Sequence, residues 1–97
     1  MIDLPEPQLE QVRQILRRWV PDRRVAAFGS RVRGGARPHS DLDLLVLGEE
    51  PLPLETLFRL KDAFEESDLP FRVDVVDQSR VSPEFHALVR EQMEYIQ

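Results

Sequence analysis

Two apolar stretches decide how this chain folds, VAAFGS at residues 25–30 and DLDLLVL at residues 41–47. Each has the length and composition of a buried β-strand, and the first ends in Gly29-Ser30. The ten residues between them are polar and include two glycines and Pro38, which predicts a loop with at most one or two helical turns. We therefore expect two strands joined by a polar connection.

The rest of the chain carries helical patterns and one further strand. Apolar residues recur at helical spacing over residues 7–20, 54–67 and 82–96, and Pro21 stops the first of these segments. Every second residue from 71 to 75 is apolar, which is the period of a strand. This order predicts the α/β class of the α+β type, with a small mixed sheet of about three or four strands flanked by helices. We expect one domain over residues 1–97, with one face of the sheet partly open.

Composition and charge narrow the class of protein. The net charge of -5 argues against nucleic acid as a direct partner, because phosphate binding needs a surplus of positive charge. The absence of cysteine excludes disulfides, thiolate zinc sites and a cysteine nucleophile. Neither a membrane-spanning apolar run nor a signal segment is recognisable, so we expect a cytoplasmic protein without a membrane partner. Most arginines precede residue 41 and acids dominate residues 41–77, which fits either a polyphosphate beside a metal site or an oppositely charged protein partner.

Asp41 and Asp43 interrupt an otherwise apolar strand. Because side chains alternate along a strand, both carboxylates project from one face, whereas Leu42, Leu44 and Val46 project from the other. Like charges on one face repel each other, so the pair costs stability unless a cation lies between them. Mg²⁺ prefers carboxylate oxygens and completes its shell with substrate phosphates, so we predict Mg²⁺ here. The alternative is a pair of solvated acids at the start of a strand.

Asp74 is a third strand acid, flanked by valines. If its strand lies beside that of Asp41 and Asp43, the three carboxylates complete a site that can hold two metals roughly 3.5–4 Å apart. Asp74 can also take a proton from an attacking hydroxyl group. The alternative for Asp74 is an ion pair with an arginine such as Arg72. Asp77 has the opposite parity and is a weaker candidate for the same site.

Gly29-Ser30 predicts a phosphate-binding turn. Glycine allows the backbone to turn and approach a ligand, and a short helix after it presents amide N–H groups and the Ser30 hydroxyl to a phosphate. Arg31 is the arginine nearest to Ser30 in sequence and is the candidate for an additional phosphate contact. The segment is not a P-loop, because Gly35-Ala36 stands where Lys-Ser/Thr would be required. A turn without a ligand is the alternative.

The combined pattern resembles the signature of the polymerase-beta-like nucleotidyltransferase superfamily. It consists of Gly29-Ser30, ten intervening residues, Asp41-Leu42-Asp43 and an aspartate, Asp74, in a later strand. The short length makes the chain similar to the minimal nucleotidyltransferase family, known as MNT or MntA, and the resemblance covers essentially the whole chain. It implies the polymerase-beta-like fold, bound Mg²⁺ and ATP, and Asp41, Asp43 and Asp74 as metal ligands and catalytic residues.

The same resemblance implies a function and a partner. Such a protein would be an antitoxin that transfers AMP from ATP to a tyrosine of a HEPN toxin, within a hetero-oligomer. No motif in this chain identifies the acceptor, so two alternatives stay open. One is a non-catalytic nucleotide-binding antitoxin that neutralises its partner by complex formation, and the other is the catalytic subunit of an enzyme that modifies a small molecule.

Overall fold

A computed structural model of the chain describes residues 2–97 and has a mixed four-stranded sheet with helices packed against it. The helices are α1 (Glu6–Trp19), α2 (Ser30–Arg33), α3 (Leu54–Glu65) and α4 (Pro83–Arg90). The strands are β1 (Val25–Phe28), β2 (Leu42–Val46), β3 (Val73–Asp77) and β4 (Glu94–Tyr95). A 3-10 turn at Gln78–Arg80 follows β3. The predicted fold class, a small mixed sheet of three or four strands, is confirmed.

The strand order in the sheet is β3-β2-β1-β4. β1 is antiparallel to both of its neighbours, β2 and β4. β2 and β3 are parallel, as expected for two strands whose connection contains a helix, here α3. The parallel pair lies at one side of the sheet, so the acids of two segments distant in sequence are brought onto neighbouring strands.

The hydrophobic core lies on one face of the sheet, against α1 and α3. Leu42, Leu44 and Val46 of β2 are fully buried there, as the alternation of side chains predicts. The two helices contribute their apolar faces, with α1 burying Leu9, Val12 and Leu16, and α3 burying Leu57, Leu60 and Phe64. Within residues 2–97, no helix combines the length and apolarity needed to cross a bilayer.

The second face of the sheet is covered only in part, by α4. The rings of Phe28 on β1 and Phe85 on α4 meet edge to face, with centroids 5.9 Å apart. Leu88, three residues further along α4, is 75% exposed. The prediction of a partly open face is therefore consistent with the packing.

The end of the chain differs from the sequence-based expectation of a helix through residue 96. The start at Ser82 is as predicted, since the Ser82 hydroxyl accepts a hydrogen bond from the Phe85 N–H, but α4 ends at Arg90 and β4 follows. Ile96 is buried, and its N–H donates to the Val25 carbonyl over 2.9 Å. The pairing gives the outer edge of β1 hydrogen-bond partners that a longer α4 would have left missing.

Candidate active site

The register of the parallel pair places Asp43 of β2 directly opposite Asp74 of β3. Leu42 and Leu44 point into the core, so the Asp43 side chain lies on the opposite face, and Asp74 shares that face because its register partner does. Asp41 is the residue immediately before β2 and is exposed, as is Asp74, whereas Asp43 is half-buried. The structure thus brings together the three acids that the sequence singled out.

Asp43 occupies an electrostatically unfavourable position. Its pKa is raised above the ordinary value, first because burial penalises the charged carboxylate and second because Asp74 and Asp41 repel it. Arg33 opposes these effects and lowers the pKa. A cation bound between the acids would remove the repulsion, since it compensates charges that are otherwise held on one face.

Gly29 makes this geometry possible at the end of β1. Its φ of 81° and ψ of -158° lie in a region that is essentially restricted to glycine. A Cβ atom at this position would overlap Oδ2 of Asp43 and lie 3.3 Å from its Cγ. Glycine is therefore required both for the backbone conformation and for the close approach of the Asp43 carboxylate.

Ser30 begins α2, a single helical turn, which agrees with the prediction of a loop with at most one or two helical turns. The carbonyl of Gly29 accepts hydrogen bonds from the N–H groups of Val32 and Arg33, which fixes the turn. The Ser30 hydroxyl makes no hydrogen bond with any group of residues 2–97 and is half-buried beside Gly29. It is free to bind a ligand beside Gly29, which lines a cleft together with Asp43.

The structure places the side chain of Arg31 away from this cleft. Arg31 is only 4% exposed, and its guanidinium donates to the carbonyl oxygens of Asp3, Pro38 and Ser40 over 2.9–3.1 Å. It also lies 4.3 Å from the ring centroid of Phe71. The structure therefore favours a structural role for Arg31 over the predicted phosphate contact, because the guanidinium is buried and donates to carbonyl groups of the chain itself.

Arg33 is the arginine that lies close to Asp43. It lines a cleft of about 360 Å³ together with Gly29, Asp43 and residues of α4, and it is exposed. Its guanidinium makes no hydrogen bond or ion pair with the part of the chain that the structure describes. Closeness in sequence to Ser30 favours Arg31 over Arg33, but the position of Arg33 three residues after Ser30 places both on one side of a helical turn.

The donors of the site fit a magnesium ion without forming a closed cage. No group of three or more His, Asp or Glu side chains within residues 2–97 is arranged to hold a metal by itself. Mg²⁺ is usually bound by one or two carboxylates, with substrate phosphates and water completing its shell. An open set of carboxylates beside Gly29 and Ser30 is therefore suited to a metal that arrives with a polyphosphate.

Asp77 lies outside this group of acids and has a structural role. Its buried carboxylate accepts hydrogen bonds from Leu52 N–H, Ser79 N–H and Ser79 Oγ–H over 2.9–3.0 Å, and it pairs with Arg80. Burial alone would raise the pKa of Asp77, but the hydrogen bonds from Leu52 and Ser79 lower it below the ordinary value. Asp77 thus ties the loop before α3 to the end of β3.

Opposed acids on two parallel strands beside a glycine turn suit the transfer of a nucleotide from a metal-bound triphosphate. The chain belongs to the nucleotidyltransferase domain family, whose sequence model matches residues 9–97. Over 89 residues it is 48% identical to "Probable protein adenylyltransferase MntA" of Haemophilus influenzae. That match covers 92% of this chain and 78% of the relative. The resemblance to the minimal nucleotidyltransferase family is confirmed.

Solved structures with related sequences share the fold. A structure described as that of a minimal nucleotidyltransferase is 37% identical, with a TM-score of 0.69, and the match covers 91% of this chain and 88% of that one. A crystal structure of a toxin–antitoxin with AMP-PNP contains a chain that is 26% identical, with a TM-score of 0.76. In that case the match covers 92% of this chain and 72% of the other.

Proposed function

We propose that this chain, as a single domain over residues 1–97, is a cytoplasmic antitoxin that transfers AMP from ATP to a tyrosine of a partner HEPN toxin. The observation that carries the proposal is the direct pairing of Asp43 with Asp74 beside the Gly29-Ser30 turn. The similarity to an MntA protein adenylyltransferase and to a toxin–antitoxin crystallised with AMP-PNP supports the acceptor class and the nucleotide. The active form is a hetero-oligomer with the toxin.

The acids have two roles in the transfer, metal binding and removal of the proton from the acceptor hydroxyl. Asp41, Asp43 and Asp74, together with the phosphates of the substrate, would hold Mg²⁺, which supplies charge neutralisation at the triphosphate and the leaving pyrophosphate. Asp74 is exposed at the edge strand, where an acceptor hydroxyl can reach it, and it takes the proton as the hydroxyl oxygen attacks the α-phosphorus. The bond to pyrophosphate breaks as the bond to the acceptor oxygen forms.

Two groups on α2 bind the phosphates in this proposal. The Ser30 hydroxyl, which is unused within residues 2–97, donates to a phosphate oxygen next to Gly29. The Arg33 guanidinium lines the cleft with Asp43 and stabilises the negative charge that develops on the leaving group. Phosphate binding is therefore assigned to Gly29, Ser30 and Arg33.

The test uses ATP labelled at either the α- or the γ-phosphate, with Mg²⁺, the purified partner toxin and the wild-type chain. Label from the α-phosphate is expected on the toxin, whereas label from the γ-phosphate is not. Asp43→Asn should reduce labelling by at least about 100-fold, the effect typical of removing one electrostatic stabiliser of a transition state. Asp22→Asn, at an exposed turn, is the matched control. Equal labelling by wild type and Asp43→Asn would contradict the proposal.

A second candidate function is neutralisation by occlusion. Leu88 is 75% exposed and lines the same cleft as Asp43, so a partner could cover the cleft without any chemistry. In that case the Asp41→Asn, Asp43→Asn double variant would still restore growth of cells that produce the toxin. Loss of growth with this variant, while its complex with the toxin persists, would exclude occlusion as the sole mechanism.

A further inference from the structure

We infer that Arg31 is a positioning residue that sets the spacing between the phosphate-binding turn and the metal-binding acids. The inference rests on the proposed function, because it concerns the geometry of that site. Arg31 touches no substrate. It acts through three other segments of the chain that meet at its guanidinium.

The guanidinium of Arg31 joins every segment that carries a site residue. Arg31 itself follows Ser30 on α2. Its Nε donates over 3.0 Å to the carbonyl of Ser40, the residue before Asp41, and its Nη2 donates over 3.1 Å to that of Pro38. Its charged plane lies over the ring of Phe71, two residues before β3 begins. One rigid group therefore spans the turn, the loop leading to the acids of β2, and the start of β3.

A fourth contact anchors this arrangement to the body of the fold. Nη1 of Arg31 donates to the carbonyl of Asp3 over 2.9 Å, and the Asp3 N–H donates back to the Arg31 carbonyl over 2.6 Å. Asp3 immediately precedes the segment that enters α1. Asp3 therefore holds both the side chain and the main chain of Arg31. We call the contacts of the Arg31 guanidinium with Asp3, Pro38, Ser40 and Phe71 the clamp.

The loop that Arg31 holds has little rigidity of its own. Gly34 and Gly35 have φ values of 111° and 83°, and atoms built at their Cβ positions would meet nothing within 4 Å. The internal bonds of the loop run between Arg37 and Ser40, over 3.0 Å for the main chain and 2.7 Å for the Ser40 hydroxyl. His39 Nδ1 lies 3.2 Å from the Pro70 carbonyl oxygen and ties the loop to the segment before β3, but the bonds that join residues 38–40 directly to α2 come from the buried guanidinium.

Only an arginine side chain can make this combination of hydrogen bonds and ring stacking. The guanidinium presents five donors in a fixed plane, so it can bond carbonyls in several directions and still stack on a ring. A lysine ammonium keeps the charge but presents its three donors from one point and cannot stack in the same way. Arg31→Lys therefore removes the clamp while retaining the charge. Arg37→Lys, at an exposed position in the same loop, is the matched control.

The experiment combines hydrogen exchange of the free protein with steady-state kinetics of AMP transfer. In Arg31→Lys, the hydrogen-bonded amides within residues 34–41, which are those of Gly34, Arg37 and Ser40, should exchange about tenfold faster than in wild type, consistent with the loss of one or two charge-assisted hydrogen bonds. At a temperature where the variant is folded, kcat should fall about 10–100-fold, as expected for acids displaced by about 1 Å. The Mg²⁺ concentration for half-saturation should rise. Arg37→Lys should match wild type in amide exchange, in kcat and in the Mg²⁺ concentration for half-saturation.

The outcomes separate the inference from the proposed function. If the amides within residues 34–41 exchange in Arg31→Lys at the same rate as in wild type, the inference about Arg31 is wrong, whatever the activity of the variant. Lower thermal stability with unchanged kcat and Mg²⁺ dependence would also overturn it, because that result defines a purely structural arginine. An inactive wild-type protein would overturn the proposed function alone. If Arg31→Lys does not fold, Phe71→Leu, which removes the stacked ring and keeps an apolar side chain in the core, must accelerate the same amides, and unchanged exchange would overturn the inference.

Discussion

Replacing Asp43 by asparagine should abolish transfer and at the same time stabilise the metal-free protein. Asp43 faces Asp74 across β2 and β3, and burial together with Asp74 and Asp41 raises its pKa. Like charges placed directly opposite in a sheet cost roughly 0.2–1 kcal/mol. Because partial burial adds to this cost, we expect Asp43→Asn to raise the free energy of unfolding by about 0.5–1 kcal/mol, at the upper end of that range. For a domain of this size, that corresponds to a rise in Tm of about 2–8 °C.

The sign of the pH dependence follows from the direction of the pKa shift. A carboxyl group whose pKa is higher in the folded than in the unfolded chain destabilises the fold when both states are ionised. The penalty is present above the folded pKa and disappears as the pH falls through it towards the unfolded value of 3.8. The difference in Tm between Asp43→Asn and wild type should therefore be largest near neutral pH and shrink in acid.

The assay is thermal unfolding in EDTA and again with Mg²⁺ and ATP. In EDTA, Asp43→Asn should melt above wild type, whereas Asp22→Asn, which changes an exposed acid, should not. With Mg²⁺ and ATP, the Tm of wild type should rise because ligand binding favours the folded state, and that of Asp43→Asn should rise far less. An Asp43→Asn protein that melts at or below wild type in EDTA would refute the electrostatic reasoning.

Three further outcomes follow from the packing and charges described above. Gly29→Ala should lower the free energy of unfolding, measured by urea titration, by about 1–3 kcal/mol and reduce transfer, because the new Cβ overlaps the carboxylate of Asp43. The control Gly35→Ala, with a similar φ of 83° and open space around it, should lower that free energy measurably less. Asp77→Asn should lower the free energy of unfolding by about 1–3 kcal/mol near neutral pH, since buried donors lose a charged acceptor. Because the pKa of Asp77 is lowered in the folded protein, this difference between variant and wild type should be complete above pH 3.8, the ordinary pKa, and vanish as the pH falls through the folded pKa. Arg33→Gln should leave the Tm within about 2 °C of wild type, because Arg33 is exposed, and should lower kcat/KM for ATP about 10–100-fold through the loss of a charge-assisted contact.

Alternation along a strand was sufficient to predict the geometry of the acids. It separates Asp43 from Leu42 and Leu44 without reference to the rest of the chain, and the structure places these leucines in the core. The pairing of Asp43 with Asp74 needed one further assumption, that the two strands are neighbours, and the parallel register confirms it. Local periodicity therefore accounts for most of the sheet and for the acid cluster.

Two features could not be obtained from local patterns. β4 contains only Glu94 and Tyr95, which is too short to show a strand period, and Ile96 lies at a helical spacing from Val89. The direction of the Arg31 side chain depends on carbonyl groups from distant segments, so its closeness to Ser30 in sequence was misleading. In both cases the decisive contacts are tertiary, and a single sequence does not display them.

The parallel pairing of β2 with β3 also has a consequence for the biogenesis of the protein. The strand that carries Asp74 is made only after α3, so a nascent chain that stops before residue 73 has the acids of β2 and a bare strand edge. Parallel pairs close long loops and form slowly, and open edges invite association with other chains. Translation must therefore proceed through β3 before the nascent polypeptide acquires its full set of acids and loses this exposed edge of β2.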